Sequence, residues 1–317
     1  TFEVRKWIPI SEFLSEASGA FVIPGDDLPD GWLPMTQAEK AAINGKGAPE
    51  SKDDDDDPCE TACGSGSGMP YYGYDPFGPS VMIRDTPLVM ETPFGPSMHF
   101  TLTYKENSKL RDDPNMAFTN LGTKWSCNFL SFIRQDAVDT SKYRLYLPGG
   151  RQETHIDNGS GFDINRMSHA QLTTITGGYK RTTNDGSEML YTKLSDDTER
   201  HYLTEIRDPQ GNALTLTYVA GPGGVGDRLD KVSDQFGRAL LFKYEESGEP
   251  WLVSRVVEKV GSTEFREVSL DYLSGELIGV TDAEGIASGF TYQNPTDLSG
   301  VTSMTTPSGT TRFQTTS

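Results

Sequence analysis

Apolar residues fall at every second position in several stretches of this chain. Leu214, Leu216 and Tyr218 do so, then Leu240, Phe242 and Tyr244, then Phe290 and Tyr292. A period of two places alternate side chains on one face of a strand. Upstream, Phe100, Leu102 and Tyr104 alternate within MHFTLTYK, and Trp125, Cys127 and Phe129 within KWSCNFLSFI. SVMIRDTPLVM has the same strand-forming composition. Pro148-Gly149-Gly150 and Asn184-Asp185-Gly186 sit between strand-like runs and predict hairpin turns.

The stretches repeat. LTEIRDPQGNALTLTY begins at Leu203, LDKVSDQFGRALLFKY at Leu229 and LIGVTDAEGIASGFTY at Leu277; a weaker copy, VTSMTTPSGTTRFQTT, begins at Val301. Aligned on one glycine, the copies place Gly211, Gly237, Gly261, Gly285 and Gly309 at spacings of 26, 24, 24 and 24. A period in this range marks a repeat architecture. Three residues before each glycine stand Asp208, Asp234, Glu258, Asp282 and Thr306, and Pro209 and Pro307 follow two of these. Asp first, Pro second and Gly fourth is the composition of a type I turn, with the carboxylate capping it. Each copy is therefore expected to be a hairpin, with Leu216, Tyr218, Phe242, Tyr244, Phe290 and Tyr292 in its core. Before the turn the apolar pairs Leu203/Ile206, Leu229/Val232, Val253/Val256 and Leu277/Val280 are three apart. A flat strand does not accommodate that spacing, and a β-bulge or strong twist does. The Gly261 copy carries about four extra residues, since its tyrosine, Tyr272, stands eleven rather than seven residues on.

These patterns predict an all-β fold: an antiparallel sheet of stacked hairpins after a short mixed N-terminal segment. Residues 1–50 differ in character and hold one short helix, TQAEKAAIN, with Thr36 and Glu39 as a capping box and Gly45 past its end. Residues 51–68 read as an acidic Gly/Ser linker, residues 69–147 as a β-rich lead-in region, and residues 148–317 as the hairpin array. A lone hairpin is marginal in water, so the array is expected to be stable only as an array.

Composition narrows the function. The net charge of −18 leaves no basic stripe for nucleic acid and disfavours an anionic membrane surface. No apolar run approaches a membrane span, and TFEVRKWIPI lacks a signal peptide's apolar core and an initiator Met; an internal or processed piece of a longer chain is expected. Cys59, Cys63 and Cys127 lack the spacing of a zinc site; they give one disulfide, with Cys63 and Cys127 as the pair, or three free thiols. The disulfide agrees with a place outside the cytoplasm. Asp53, Asp54, Asp55, Asp56 and Asp57 could ligate calcium, but consecutive carboxylates do not wrap an ion, and a solvated acidic linker is the expectation.

Catalytic motifs are sparse. GPGGVG, Gly221 to Gly226, fits a dinucleotide fingerprint but precedes the next copy rather than a helix, so it reads as an enlarged loop between hairpins. His99, His155, His169 and His201 have no ligand spacing, GSGSG is not a nucleophile elbow, and Asn158-Gly159-Ser160 is a glycosylation sequon of little weight in a bacterial protein. The turn aspartates would form a ladder on one rim, where capping, not cation binding, is their expected task. No cofactor and no catalytic or metal residue is nominated.

IRDPQGNALTLTY, VSDQFGRALLFKY and VTDAEGIASGFTY resemble the RHS, or Tyr-Asp (YD), repeat family. GMPYYGYDPFGPSVMIRDTPLVMETPFGPSMHFTLTYKENS and GTKWSCNFLSFI resemble the lead-in of its large bacterial members. The resemblance covers residues 63–317 and implies a long sheet spiralling into a hollow shell, as in toxin-complex cocoons, polymorphic toxins and teneurins. The self-cleaving core and C-terminal toxin of cargo-carrying members have no counterpart here. The expectation is a non-catalytic extracellular or surface protein, bacterial, serving as scaffold, adhesin or shell wall. Two alternatives stand beside it: the encapsulating part of a toxin-delivery protein, and a filament subunit assembled by strand donation to an open sheet edge. Its partners would be the rest of a longer RHS chain or identical subunits.

Overall fold

The computed structural model describes residues 69–75, 80–90, 92, 94–106, 120–194, 200–221, 227–245, 248–293 and 300–313, all within Asp55–Phe313, the larger of two compact units. The helix expected at Thr36 and the linker carrying Asp53 to Asp57 lie outside the described residues. The described residues form twenty strands and no α-helix, so the protein is all-β.

A four-stranded antiparallel sheet comes first: β1 (Tyr71–Asp75), β2 (Ser80–Met90), β3 (Met98–Lys105) and β4 (Trp125–Cys127), paired in that order. The β2–β3 register breaks between Asp85 and Leu88, around Pro87, which has no N–H to offer the ladder. On β3, Phe100 through Tyr104 are all buried, so this sheet is covered on both faces there.

The second sheet is larger. Its strands are β5 (Phe132–Gln135), β6 (Lys142–Leu147), β7 (Arg151–Ile156), β8 (Gln171–Ile175), β9 (Gly178–Thr182), β10 (Glu188–Lys193), β11 (Arg200–Arg207), β12 (Ala213–Ala220), β13 (Asp227–Asp234), β14 (Arg238–Lys243), β15 (Arg255–Val260), β16 (Thr263–Leu273), β17 (Glu276–Thr281), β18 (Ala287–Tyr292), β19 (Val301–Thr306) and β20 (Gly309–Arg312). From β8 to β20 each strand pairs with the next in antiparallel fashion, and among the described residues β8 and β20 are the ends of that run. The sheet is open, not a barrel. It forks at β11: one side of β11 pairs with β10 throughout, while the other takes β5 at Arg200–Tyr202 and β12 at Glu205–Arg207. GPGGVG joins the antiparallel pair Ala220↔Asp227 and leads into no helix.

One hydrophobic core joins the two sheets. Ile83, Phe100, Leu102, Tyr104 and Trp125 of the first, with Phe129 in the turn after β4, pack with Leu216, Leu240, Phe242, Val256, Leu270 and Phe290 of the second. The apolar face that alternation assigns to the hairpins is thus covered by the lead-in strands. Where the family resemblance implies a hollow behind that face, this stretch is filled.

Candidate functional site: the turn aspartates, the tyrosine row and the covering sheet

Three hairpin turns share one geometry. Oδ1 of Asp208 accepts the N–H of Gln210 at 3.0 Å and of Asn212 at 2.8 Å. Oδ1 of Asp234 accepts those of Phe236 and Arg238 at 2.8 and 3.0 Å, and Oδ1 of Asp282 those of Glu284 and Ile286 at 2.9 and 2.7 Å. Each carboxylate takes the N–H groups two and four residues on, which the bend would otherwise leave without partners. Gly211, Gly237 and Gly285 close these turns at φ 87°, 82° and 80°, a region costly for any residue with a Cβ. The Asn212 amide, with the backbone donors, holds the Asp208 carboxyl below the usual range.

Two copies differ. Glu258 is not a turn residue: it lies within β15 and pairs with Arg266 at 2.6 Å. Val260↔Thr263 closes that hairpin with two residues, Gly261 and Ser262, and Gly261 donates to the carbonyl of Gly237 at 2.9 Å. Glutamate carries one methylene too many to fold back as an aspartate does, and the extra residues of this copy lengthen β16 instead. Thr306↔Gly309 likewise closes over two residues, and Gly309 opens β20. A further copy, hidden in the sequence, lies upstream. Thr183 donates to the carbonyl of Ser187 at 2.9 Å and Gly186 to that of Thr183 at 3.0 Å, as Asp208 does to Asn212 and Gly211 to Asp208, both at 3.0 Å. Gly186 lies 25 residues before Gly211, and Tyr191 stands five residues on, where other copies have Leu216, Phe242 and Phe290.

The tyrosines form a second row. The hydroxyls of Tyr218, Tyr244 and Tyr292 donate to the carbonyls of Leu203, Leu229 and Leu277 at 2.7, 2.7 and 2.6 Å, and Tyr272 to Val253 at 2.9 Å. Each ties the end of a repeat to its own first residue. The strand register shifts at Thr217/Tyr218, Asp271/Tyr272 and Thr291/Tyr292. The shifts facing Leu229/Val232 and Leu277/Val280, with one at Leu190/Tyr191 facing Leu203/Ile206, are the bulges that reconcile the three-residue apolar spacing of those pairs. Burial raises the hydroxyl pKa of Tyr218 and Tyr292 well above the ordinary value, so both stay neutral donors.

The first sheet engages this row. Trp125 Nε1 donates to the Tyr292 hydroxyl at 2.8 Å, and its ring lies 4.8 Å from that of Phe290. Val301 donates its N–H to the Tyr104 hydroxyl at 3.1 Å. Phe100 and Phe129 meet Phe242 edge to face. Arg266, on the lengthened β16, reaches the Val89 carbonyl at 2.8 Å, and Ala283 donates to Pro87 at 3.2 Å.

Cys127 is a free thiol buried in the core, where desolvation pushes it up to about 11; the disulfide expected with Cys63 is not made, and Cys63 itself lies outside the described residues. Of the histidines, His155 is buried beside Glu153, which Arg181 grips with two bonds of 2.8 and 3.0 Å. Among the described residues no group of three His, Cys, Asp or Glu side chains is placed to hold a metal. No helix among them is long and apolar enough to cross a membrane. Beneath Tyr218 and Tyr244 lies a cavity of about 20 Å³, bounded also by Cys127, Phe129, Leu130 and Phe242, with room for a single water.

No protein-family model and no curated protein matches the chain. Among solved structures, TcdB2-TccC3 is similar at 13% identity and TM-score 0.48, over 72% of this chain and 17% of that one. TcdB2-TccC3-TEV is similar at 14% and 0.47, over 74% and 17%. A porin-like protein from Bacteroides uniformis ATCC 8492 is similar at 14% and 0.32, over 55% and 87%. The chain spans about a sixth of the length of the TcdB2-TccC3 chains.

Proposed function

We propose that this chain is a non-catalytic, extracellular structural β-repeat protein: a wall segment of a larger RHS, or YD-repeat, protein. The observation that supports this most is the covering sheet. It buries the apolar face of the array through Trp125, Phe100 and Phe129, while among the described residues β20 keeps a free edge on which another hairpin can add. The hydroxyls of the tyrosine row and one oxygen of each turn carboxylate are spent on holding backbone. In this reading the segment gives a wall a filled, rigid section, and its partner is the rest of a longer chain.

Electron microscopy and a substrate screen test it together. The purified chain is expected to give monodisperse particles and no turnover of polysaccharide, peptide, ester or nucleotide substrates. Turnover abolished by one Asp or Glu substitution contradicts the non-catalytic reading, and polymers of fixed pitch favour a filament built by strand donation at β20. The encapsulating part of a toxin-delivery protein is the second reading, supported by the YD-repeat motifs. A nuclease-like or deaminase-like tail in the full gene would favour it.

A further inference from the structure

The three turn aspartates differ in their second oxygen. Oδ2 of Asp208 accepts the side-chain amide of Asn212 at 2.7 Å, and Oδ2 of Asp234 accepts Nε of Arg238 at 2.6 Å. In both the donor is the residue four places on. The corresponding residue after Asp282 is Ile286, which has none to give, and Oδ2 of Asp282 is buried without a hydrogen-bond donor. The Ala283 N–H to Pro87 carbonyl bond of 3.2 Å brings this turn to Asp85 of β2, in the covering sheet, close enough for the Asp282 charge to act on it, and Oδ1 of Asp85 is buried without a donor too. Asp85 is 2% exposed and Asp282 5%.

Two buried carboxylates close together do not both ionise cheaply. Asp282 has two backbone N–H donors on its other oxygen, whereas Asp85 has the backbone of Thr86 alone. Burial, with a second carboxylate close by, therefore favours a proton on Asp85. The surroundings bring no cation that takes the proton's place. β3 sets Leu102 opposite Asp85, with uncharged Thr101 and Thr103 on either side. Arg84 is next along β2, and Glu284 follows in the turn. Arg266 of β16 spends its guanidinium on the Val89 carbonyl, on Glu258 at 2.6 Å and on Glu284 at 3.7 Å.

We propose that Asp85, protonated in its buried place beside Asp282, makes the attachment of the covering sheet to the array pH-dependent, tight in mild acid and loosened when Asp85 loses its proton. The seam is local. Ala283, next to Asp282, donates its N–H to Pro87, two residues from Asp85, so repulsion between two carboxylates strains that bond first.

The sign follows from proton linkage. Burial, then the Asp282 charge, raises Asp85 to about 7 in the closed state. An Asp85 released to solvent returns to about 4. The stabilisation is complete below about pH 4 and is lost progressively until the closed-state value near 7 is passed. Hydrogen exchange of the Ala283 amide in the full chain tests this, with D85N as the uncharged reference. The opening constant of the wild type, divided by that of D85N, is expected to rise by up to about ten-fold per pH unit from pH 5 to pH 7 and then level off. D282N is the second variant: asparagine keeps a turn-capping oxygen and removes the charge but not the burial, so the ratio to D85N should still rise from pH 5 but level off at a lower pH than in the wild type. A constant ratio for the wild type across this range overturns the proposal, as does a folded D282N chain that levels off at the wild-type pH.

Discussion

The hydroxyl of Tyr292 donates to the backbone carbonyl of Leu277 at 2.6 Å. It joins the two ends of one repeat, and it also accepts the indole N–H of Trp125 from the other sheet. Y292F removes one donor and leaves two buried groups without partners. Urea unfolding should show a loss of about 2–3 kcal/mol. Y244F breaks the matching bond to Leu229 without stranding an indole, and its loss should be about 1 kcal/mol. Equal losses in the two variants would show that Trp125 does not depend on Tyr292.

The turns should rank by geometry rather than by alignment. D234A strands two backbone N–H groups and the Arg238 side chain, and should cost about 1–2 kcal/mol. E258A, at the aligned position, removes one pair with a half-exposed arginine and should cost about 1 kcal/mol or less. Thermal unfolding of the two variants checks the order.

This contrast marks what is legible in the sequence. The hairpins, their glycines and the alternating apolar face follow from periods of two and about 24, because each copy repeats one local structure. The bulges are legible too, since a regular strand turns residues three apart to opposite faces and only an extra residue returns them to one. Glu258 misleads because spacing does not distinguish a turn aspartate from a strand glutamate one methylene longer. The turn at Asn184-Asp185-Gly186 is legible, but its membership of the repeat is hidden because its carboxylate comes from Asp185, not from the first turn residue. The strands of the covering sheet are legible from their alternation, but their packing on the array is not. Trp125 meets Tyr292 across 167 residues, and no local pattern encodes a contact of that range.

Glu153 supplies a prediction in acid. Burial opposes its charge, but hydrogen bonds from His155 and Arg181 prevail and hold it at about 2. A lowered carboxyl stabilises the fold above its unfolded value, about 4.3, and the contribution is lost as pH falls toward 2. E153Q should unfold about 3–5 kcal/mol more easily at pH 7, because Arg181 is left buried without its carboxylate. The gap from wild type should shrink between pH 4 and pH 2. A gap independent of pH would contradict the ion pair.

Cys127 should be silent toward thiol reagents in the folded chain at pH 8, since its thiol is buried and its thiolate disfavoured. Labelling followed by peptide mapping should find it unmodified in the native state and fully modified in urea without a reducing agent. Modification that requires prior reduction would show that it is disulfide-bonded.

The central claim is that the lead-in strands fill the apolar face of the hairpin array, and a density map of the purified chain at side-chain resolution tests it most directly. The account predicts the Trp125 ring packed on Phe290 with its N–H on the Tyr292 hydroxyl, and Phe100 against Phe242. A map with the tyrosine row facing open space and β1 to β4 packed elsewhere would contradict it.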